Sequence, residues 1–421
     1  MKTKILRIWL VHESFNDAST AREGVARYIV NLVKSLLEHS DIKIEIWCLS
    51  ATHNTIKGIF SDAFDDQQMM SKIRYISYSE MRITAMMNTQ NEEHGILLIP
   101  LCNMQYYQGI TLKNKVLILM DLFTIVFYDL FKIIHKNIDS EIKFVLDSIE
   151  NLRKDGCFFV ANSQSIIDSH ILKHTNVTRD TCDFVYLPVP TSNGNILKKE
   201  ELFTKFNIDS EYIIFPTQVR PHKNIEVLLK LLVLLKKSNI KLKLLLTGAL
   251  ESFPPNYEFA IANNIMEDVI CVGYISSLEL RSFYHYASMC IAPSLEEGGM
   301  PWPIFEALEA ECPVIAGDIP VTRERLSFHG LSHQTSGIPV FDPYNVDSLF
   351  ECVMMMLESR ESILKKQQSI KSQLFSWTWQ DVATKYIGIF DNILTVNAVS
   401  QRHRSFNIIS YVINFFVMSH L

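Results

Sequence analysis

The segment APSLEEGGMPWPIFEALEAECPVIAGDIPVTRE, residues 292–324, spans the end of one predicted strand, a loop, a helix and a second strand. A buried strand is predicted to end at Pro293, where its apolar run stops. A helix is predicted to begin near Pro303, because proline is favourable at the first helical position. The apolar run CPVIAG (312–317) predicts the next strand. Strands that alternate with helices in this way indicate a parallel sheet covered by helices on both faces.

The same alternation continues through most of the chain in both directions. Helical spacing of apolar residues is found at 24–37 and 225–237. Strand-like runs are ILRIWLV (5–11), IKIEIWCL (42–49), GILLIPL (95–101), VLILM (116–120), CFFVA (157–161), FVYLPV (184–189), YIIFPT (212–217), KLKLLLTG (241–248), DVICVG (268–273) and SMCIAPS (288–294). The polar segment TSNGNILKKE (191–200) interrupts the pattern and is the best candidate for a linker. We therefore predict two successive α/β units that face each other across a cleft, since ligands of such sheets bind beyond the carboxyl ends of the strands.

Amino-acid composition bears on the class of protein and on the cellular compartment that we expect. The chain has 421 residues, 48% of them hydrophobic, and a formal net charge of −6, which does not favour nucleic-acid binding. Its eight cysteines include no C-x-x-C pair, so scattered buried thiols and a reducing cytoplasm are expected. The apolar start of the chain lacks a small-residue cleavage site and is interpreted as a first strand, not a signal peptide. No spacing of histidines or cysteines typical of a metal site is present.

The loop of the quoted segment has the composition of a phosphate site. Gly298 and Gly299 allow the backbone to approach a ligand closely, and the following helix start offers free amides and the positive end of a dipole. Glu306 is expected in the first helical turn, where its carboxylate can accept two hydrogen bonds from a sugar diol such as a ribose. The alternative for Glu306 is that acidic residues are common in first turns simply because the helix dipole favours them.

A second loop, in IIFPTQVRPHKNIEVLLKLL (213–232), carries the cations that a diphosphate needs. Gln218, Arg220 and Lys223 lie between a strand that ends near Thr217 and a helix that begins near Asn224. A lysine just before a helix adds a full charge to the dipole field, and an arginine can hold a diphosphate with two hydrogen bonds. The alternative is that these are ordinary solvated loop cations and that Asn224 is a plain N-cap.

Together the two segments resemble the retaining family 4 glycosyltransferases of GT-B fold. The donor site of that family is similar to P-S-x-x-E-G-x-G-x-P-x-x-E-A, followed by P-V and P-x-x-R-E. The positions of this chain that match the motif are Pro293, Ser294, Glu297, Gly298, Pro303, Glu306, Ala307, Pro313, Val314, Pro320, Arg323 and Glu324. Eight residues separate Glu297 from Glu306, where the family usually has one fewer, so Glu296 is the other candidate for the first glutamate. Lys223 matches the lysine of the family's G-R-x-x-x-x-K-G loop, while Gln218 occupies the arginine position and Arg220 lies two residues later.

The resemblance implies an α/β GT-B fold with parallel Rossmann-like sheets and roles for particular residues. The domains would be 1–192 for the acceptor, 193–375 for the donor, and 376–421 for a closing helix, FSWTWQDVATKYIGIFDNIL, followed by an apolar tail. Glu297 and Asp121 would act at the reacting sugar, and Glu306 would bind the ribose. The diphosphate and neighbouring donor atoms would be held by Gly24, Gln218, Arg220, Lys223, Gly298, Gly299 and Met300.

The resemblance also implies the ligands and the reaction. The donor would be a nucleotide diphosphate sugar used without cofactor or metal, and a hexose, mannose among the candidates, would pass with retention to a glycan or lipid-linked acceptor in glycan or polysaccharide biosynthesis. Met120 stands where the family has a histidine that contacts the sugar, which leaves sugar identity open. A nucleotide-sugar epimerase and a non-catalytic nucleotide-binding protein remain alternatives. Residues 401–421 are expected either to pack on the first domain or to form an interfacial membrane helix, which would add peripheral membrane contact to a cytoplasmic location.

Overall fold

The computed structural model describes residues 4–12, 15, 24–64, 67–90, 95–101, 104–189 and 194–396. The first half of the chain forms a seven-stranded sheet in the order β3-β2-β1-β4-β5-β6-β7, and every pairing is parallel. Its strands are β1 (Ile5–Leu10), β2 (Lys43–Leu49), β3 (Ile73–Tyr78), β4 (Gly95–Ile99), β5 (Lys115–Ile118), β6 (Phe158–Ala161) and β7 (Cys182–Phe184).

The second half forms a six-stranded parallel sheet in the order β10-β9-β8-β11-β12-β13. Its strands are β8 (Tyr212–Phe215), β9 (Lys243–Leu246), β10 (Val269–Cys271), β11 (Met289–Ala292), β12 (Val314–Gly317) and β13 (Val340–Phe341). In both sheets the strand order reverses beside the first strand of the unit, which is the position where doubly wound sheets bind ligands. The predicted α/β fold with two Rossmann-like parallel sheets is confirmed.

Helices connect the strands in both halves. In the first half they are α1 (Gly24–His39), α2 (His53–Ala63), α3 (Gln67–Met70), α4 (Glu80–Asn88), α5 (Phe123–Val126), α6 (Tyr128–Phe131), α7 (Ile138–Lys154), α8 (Gln164–Ile166) and α9 (Leu172–His174), with a π turn (Ile167–Ile171) between the last two. In the second half they are α10 (Lys199–Phe206), α11 (Ile225–Lys237), α12 (Pro254–Ala262), α13 (Ser277–Tyr286), α14 (Trp302–Glu309), α15 (Pro320–Phe328), α16 (His333–Ser336), α17 (Val346–Ser369), α18 (Lys371–Leu374) and α19 (379–396).

One strand prediction needs correction, and two strands were missed. The run FVYLPV (184–189) is not a strand beyond its first residue, because the chain there leaves the first sheet and begins the connection to the second. Strands β3 and β13 were not predicted. Both lie at sheet edges, where one side is left open and a continuous apolar run is not required.

Each sheet has its own hydrophobic core, and the last helix, α19, packs into the core around the first sheet. Tyr386 and Phe390 of α19 are buried in the cluster around the first sheet, and Ser35 Oγ donates to the Trp379 carbonyl at 2.8 Å. The predicted return of a C-terminal helix to the first domain is therefore confirmed. The tail at 401–421 lies outside the described residues. Within the described part of the chain, every helix is too short or too polar to cross a membrane.

The described cysteines are free thiols and mostly buried, as predicted. Cys48, Cys157, Cys182, Cys290 and Cys312 are buried, whereas Cys352 is half-buried and Cys271 is exposed. Cys102 lies outside the described residues.

Candidate functional site

The carboxyl ends of the two sheets meet at one place. Gly298 follows β11, and a Cβ atom placed on it would lie 2.9 Å from the carbonyl oxygen of Met120, which follows β5. Ser163, after β6, donates its hydroxyl to the Gly298 carbonyl at 2.9 Å. Only glycine allows this approach of two backbones, so position 298 is fixed by the contact between the domains.

The other two residues predicted beside Gly298 have different surroundings. A Cβ on Gly299 would meet no atom within 4 Å, so this position borders open space. The Met300 side chain is buried in the core of the second sheet, at 4% exposure, and only its backbone remains for a ligand. Helix α14 begins two residues later at Trp302.

Lys223 and Glu297, predicted from two separate segments, form an ion pair. Lys223 Nζ lies 2.6 Å from Glu297 Oε1, and Ser294 Oγ donates to the same oxygen at 2.6 Å. Their side chains are only 21% and 13% exposed. The pair therefore joins the loop after β8 to the loop after β11.

Asn224 holds these two loops together. It adopts a left-handed conformation, φ 54°, and its side-chain amide donates to the carbonyls of Pro293 at 3.0 Å and Pro343 at 2.7 Å. It makes no side-chain cap bond to α11. Asn224 therefore occupies the N-cap position of α11 as considered from the sequence, but its side chain binds between loops and makes no cap hydrogen bond.

Gln218 and Arg220 contact each other at the exposed rim of the same loop. Arg220 donates from its guanidinium to Gln218 Oε1 at 2.6 Å, and both residues are exposed. The positive charge of Arg220 also reaches the carboxyl group of Asp121 across the cleft. Arg220 thus lies close enough to the cleft to act on a ligand there.

Asp121 lies on the opposite wall, after β5. Burial raises the pKa of its carboxyl group, and the neighbouring charge of Glu297 raises it further. The amide of Phe123, which donates to Asp121 Oδ1 at 3.2 Å, and the charge of Arg220 lower the same pKa. The structure therefore brings Asp121, Glu297 and Arg220 within electrostatic reach of one another.

Glu306 lies in the second turn of α14, not the first turn predicted from the sequence, because the helix begins at Trp302. Its carboxylate accepts a hydrogen bond from the Tyr284 hydroxyl at 2.9 Å. Burial raises the pKa of Glu306, and the hydrogen bond and the charge of Arg27 oppose that rise. Arg27 belongs to α1, which begins at Gly24, and its guanidinium lies 4.9 Å from the centre of the Trp302 ring.

The two candidates for the first glutamate have different partners. Glu296 accepts a hydrogen bond from Ser169 Oγ at 2.9 Å, and its Oε1 lies 3.0 Å from His170 Nε2. Both partners belong to the first domain. Glu296 therefore links the two domains, whereas Glu297 contacts Lys223 within the second domain.

Sequence reasoning did not find Arg27, Tyr284, Ser169 or His170. Each approaches the site from an element distant in the chain, for example 127 residues away for the bond between Ser169 and Glu296. Among the described residues, no group of three histidine, cysteine, aspartate or glutamate side chains is arranged to hold a metal ion.

Comparisons with known proteins give one family match and several similar structures. Residues 198–373 match the model of the family described as "Glycosyl transferases group 1". No curated protein matches the chain by sequence. Similar solved structures include Anabaena Alr3699/HepE in complex with UDP and glucose, with TM-score 0.63 and 12% identity, covering 93% of this chain and 100% of that one.

Two further structures share the fold over most of the chain. A glycosyltransferase from Rickettsia africae has TM-score 0.60 and 14% identity and covers 94% of this chain and 99% of that one. Sucrose-phosphate synthase from Thermosynechococcus elongatus has TM-score 0.61 and 12% identity and covers 93% and 100%. The likeness to these structures shows that the chain has the GT-B fold.

Proposed function

We propose that this protein transfers a sugar from a nucleotide diphosphate sugar to an acceptor hydroxyl, with retention of anomeric configuration. The observation that carries the proposal is the Lys223–Glu297 ion pair of the second domain, which lies within electrostatic reach of Asp121 of the first domain. A cation of this kind balances a leaving diphosphate, and carboxylates of this kind stabilise positive charge on the sugar.

The diphosphate would be held by the second domain. Lys223 and Arg220 supply the positive charge, and backbone around Gly299 offers room for close approach. The ion pair with Glu297 keeps the Lys223 ammonium in place before the donor arrives, so little reorganisation is needed on binding. Among the described hydrogen bonds, those of Glu297 all go to Oε1, which leaves Oε2 for a sugar hydroxyl.

The remaining contacts to the donor would be made by two other carboxylates, those of Glu306 and Asp121. Glu306 would accept hydrogen bonds from the ribose, with Tyr284 fixing the orientation of its carboxylate. Asp121 would face the sugar from the first domain. Departure of the diphosphate produces an oxocarbenium-like sugar, which Asp121 and Glu297 stabilise electrostatically while the acceptor hydroxyl approaches from the first domain.

The donor class is supported by the ligands of proteins that share the fold. Alr3699/HepE was solved with UDP-glucose as well as with UDP and glucose. A hexose donor is therefore the first to test, with mannose included because Met120 leaves sugar identity open. A glycan or lipid-linked acceptor, a role in polysaccharide biosynthesis and activity without metal belong to the same proposal.

A panel of nucleotide diphosphate sugars tests the proposal. Release of nucleoside diphosphate should depend on one or a few donors, should rise with a suitable glycan or lipid-linked acceptor, and should persist in EDTA. Product anomers resolved by NMR should keep the configuration of the donor.

The alternatives give different results in the same panel. Epimerised or free sugar released without any acceptor would indicate a nucleotide-sugar epimerase. Nucleotide binding without turnover of any donor would indicate a non-catalytic binding protein. Loss of transfer in EDTA with recovery in Mg²⁺ would contradict the metal-independent part of the proposal.

A further inference from the structure

His170 connects the two loops that carry Asp121 and Glu297. It lies in the π turn (Ile167–Ile171), a type of helical irregularity that is frequent at functional sites. Its side chain has 0% exposure, so it cannot touch a substrate in the cleft. None of the roles proposed above uses it.

The hydrogen bond from the Leu122 amide fixes the tautomer of the imidazole. The Leu122 amide donates to His170 Nδ1 at 2.9 Å, so Nδ1 carries no proton and the ring proton lies on Nε2. Nε2 lies 3.0 Å from Glu296 Oε1. The edge of the ring also packs against Phe123, with centroids 5.3 Å apart.

These contacts place one rigid ring between the two walls of the cleft. Leu122 immediately follows Asp121, and Glu296 immediately precedes Glu297. A shift of the imidazole would therefore move both loops, one in each domain. The ring is thus a buried contact between these two loops, beside the close approach of Gly298 to the Met120 carbonyl.

We propose that His170 is a positioning residue that sets the distance between the Asp121 and Glu297 carboxyl groups across the closed cleft. Its kinetic consequence rests on the proposed glycosyl transfer, whereas its effect on domain placement does not. Other bonds between the domains remain when His170 is replaced. Gln164 and Ser165 donate backbone amides to Glu324 at 2.8 and 2.7 Å, and Ser163 binds the Gly298 carbonyl. The loss of His170 should consequently alter geometry more than folding.

Three substitutions separate the two contacts of the ring. His170→Phe keeps an aromatic ring and removes both polar contacts. His170→Asn retains an acceptor near the Nδ1 position for Leu122, and His170→Gln retains a donor near the Nε2 position for Glu296. Ser169→Ala is the matched control, because it removes a neighbouring hydrogen bond to Glu296 and leaves Leu122 untouched.

The kinetic result expected is a loss of kcat with little change in KM. His170→Phe should lower kcat on the order of 10- to 100-fold, as displacements of about 1 Å do, and should leave the donor KM within about threefold, since no donor contact is removed. His170→Asn and His170→Gln should each recover part of kcat, and Ser169→Ala should remain close to the unsubstituted protein. An unchanged kcat in a folded His170→Phe variant would overturn the proposal, as would a kcat loss that simply follows a fall in melting temperature.

Small-angle X-ray scattering provides a second measurement that needs no activity. His170→Phe should have a larger radius of gyration or a broader distance distribution than the unsubstituted protein, whereas Ser169→Ala should not. If no donor is turned over by any variant, the proposed glycosyl transfer fails and scattering alone decides the role of His170. Identical scattering curves for His170→Phe and the unsubstituted protein would then reject it.

Discussion

Glu297 and Glu306 differ in the partners that they already have, and this difference predicts different kinetics. Glu297→Gln should lower kcat more than it raises KM, because its free oxygen would act on a sugar whose charge develops in the transition state. Glu306→Gln should mainly raise the donor KM, because a ribose contact is made equally in ground and transition states. Steady-state kinetics with the donor found in the panel measures both.

Glu296→Gln is the control for this pair. It retains an acceptor for His170 and Ser169, so its effect on kcat should be smaller than that of Glu297→Gln. A kcat defect in Glu296→Gln together with normal kinetics in Glu297→Gln would move the sugar contact to Glu296. Normal transfer by all three variants would remove this loop from the donor site.

The ionised carboxylate of Glu306 should also lower the stability of the folded protein when no donor is bound. Its pKa in the folded state is raised above the ordinary value of 4.5, mainly by burial. A raised pKa favours folding below about pH 4.5, and this contribution is lost as the pH rises through the folded-state value. At pH 7 the folded state therefore carries a penalty of about 1.4 kcal/mol for each unit of the shift.

Glu306→Gln removes this penalty while keeping an acceptor for the Tyr284 hydroxyl. Its melting temperature should exceed that of the unsubstituted protein at pH 7, and the difference should shrink towards zero at pH 4. A melting temperature that is lower at pH 7 would show that the ionised carboxylate stabilises the fold instead.

The residues that sequence could identify are those within one loop and the helix after it. Lys223, Glu297 and Gly298 stand at fixed offsets from strand and helix ends, and these local patterns predict their positions. The side chains that contact Glu306 and Glu296 could not be predicted in this way. Tyr284 and His170 approach from other helices, and no local pattern encodes which helix packs beside a loop.

Among the elements, the loop after β8 is held against the first domain by aromatic stacking. The His222 ring lies 4.3 Å from the Phe123 ring of α5, and the rings of Phe127 and Phe131 lie 6.4 and 6.0 Å away. His222 is the neighbour of Lys223, so this stacking places the loop after β8 relative to the first domain. It depends on a neutral, buried imidazole.

His222 predicts acid sensitivity of this loop. Burial, together with the charges of Lys223 and Arg220, holds its pKa well below the ordinary value of 6.5. The group therefore contributes stability above about pH 6.5, and that contribution is lost as the pH falls towards the folded-state value. His222→Phe keeps an aromatic ring for stacking and removes the titrating imidazole. The melting temperature of this variant should therefore fall less between pH 7 and pH 5 than that of the unsubstituted protein. Equal falls in the two proteins would contradict the role of His222.

Element types were predictable where the hydrophobic pattern is strong. The helix predicted at 225–237 matches α11, because it packs one apolar face and ends at lysines. The edge strands β3 and β13 were missed because they are partly exposed or only two residues long. The start of α14 was placed one residue late, which is why Glu306 was expected in the first turn.

For the whole molecule, the arrangement of the domains depends on contacts that no single segment encodes. Glu324 of α15 accepts hydrogen bonds from two backbone amides after β6 and from the Tyr186 hydroxyl. Arg325 lies 4.4 Å from the centre of the Tyr186 ring, and Trp377 donates to the Tyr186 carbonyl at 2.8 Å. The crossing between the domains is thus packed tightly, although only the existence of two domains was evident from the sequence.

The central claim is that the cleft binds the diphosphate of a nucleotide sugar, and calorimetric titration with nucleoside diphosphates tests it most directly. Lys223→Ala should weaken binding by about 1.5–3 kcal/mol, the range for a hydrogen bond to a charged group. Lys230→Ala is the matched control, since Lys230 lies on the exposed side of α11 and pairs only with Glu226 among the described ion pairs. The account predicts tight binding by the unsubstituted protein and by Lys230→Ala, with a selective loss in Lys223→Ala. Equal affinity in all three proteins would contradict it.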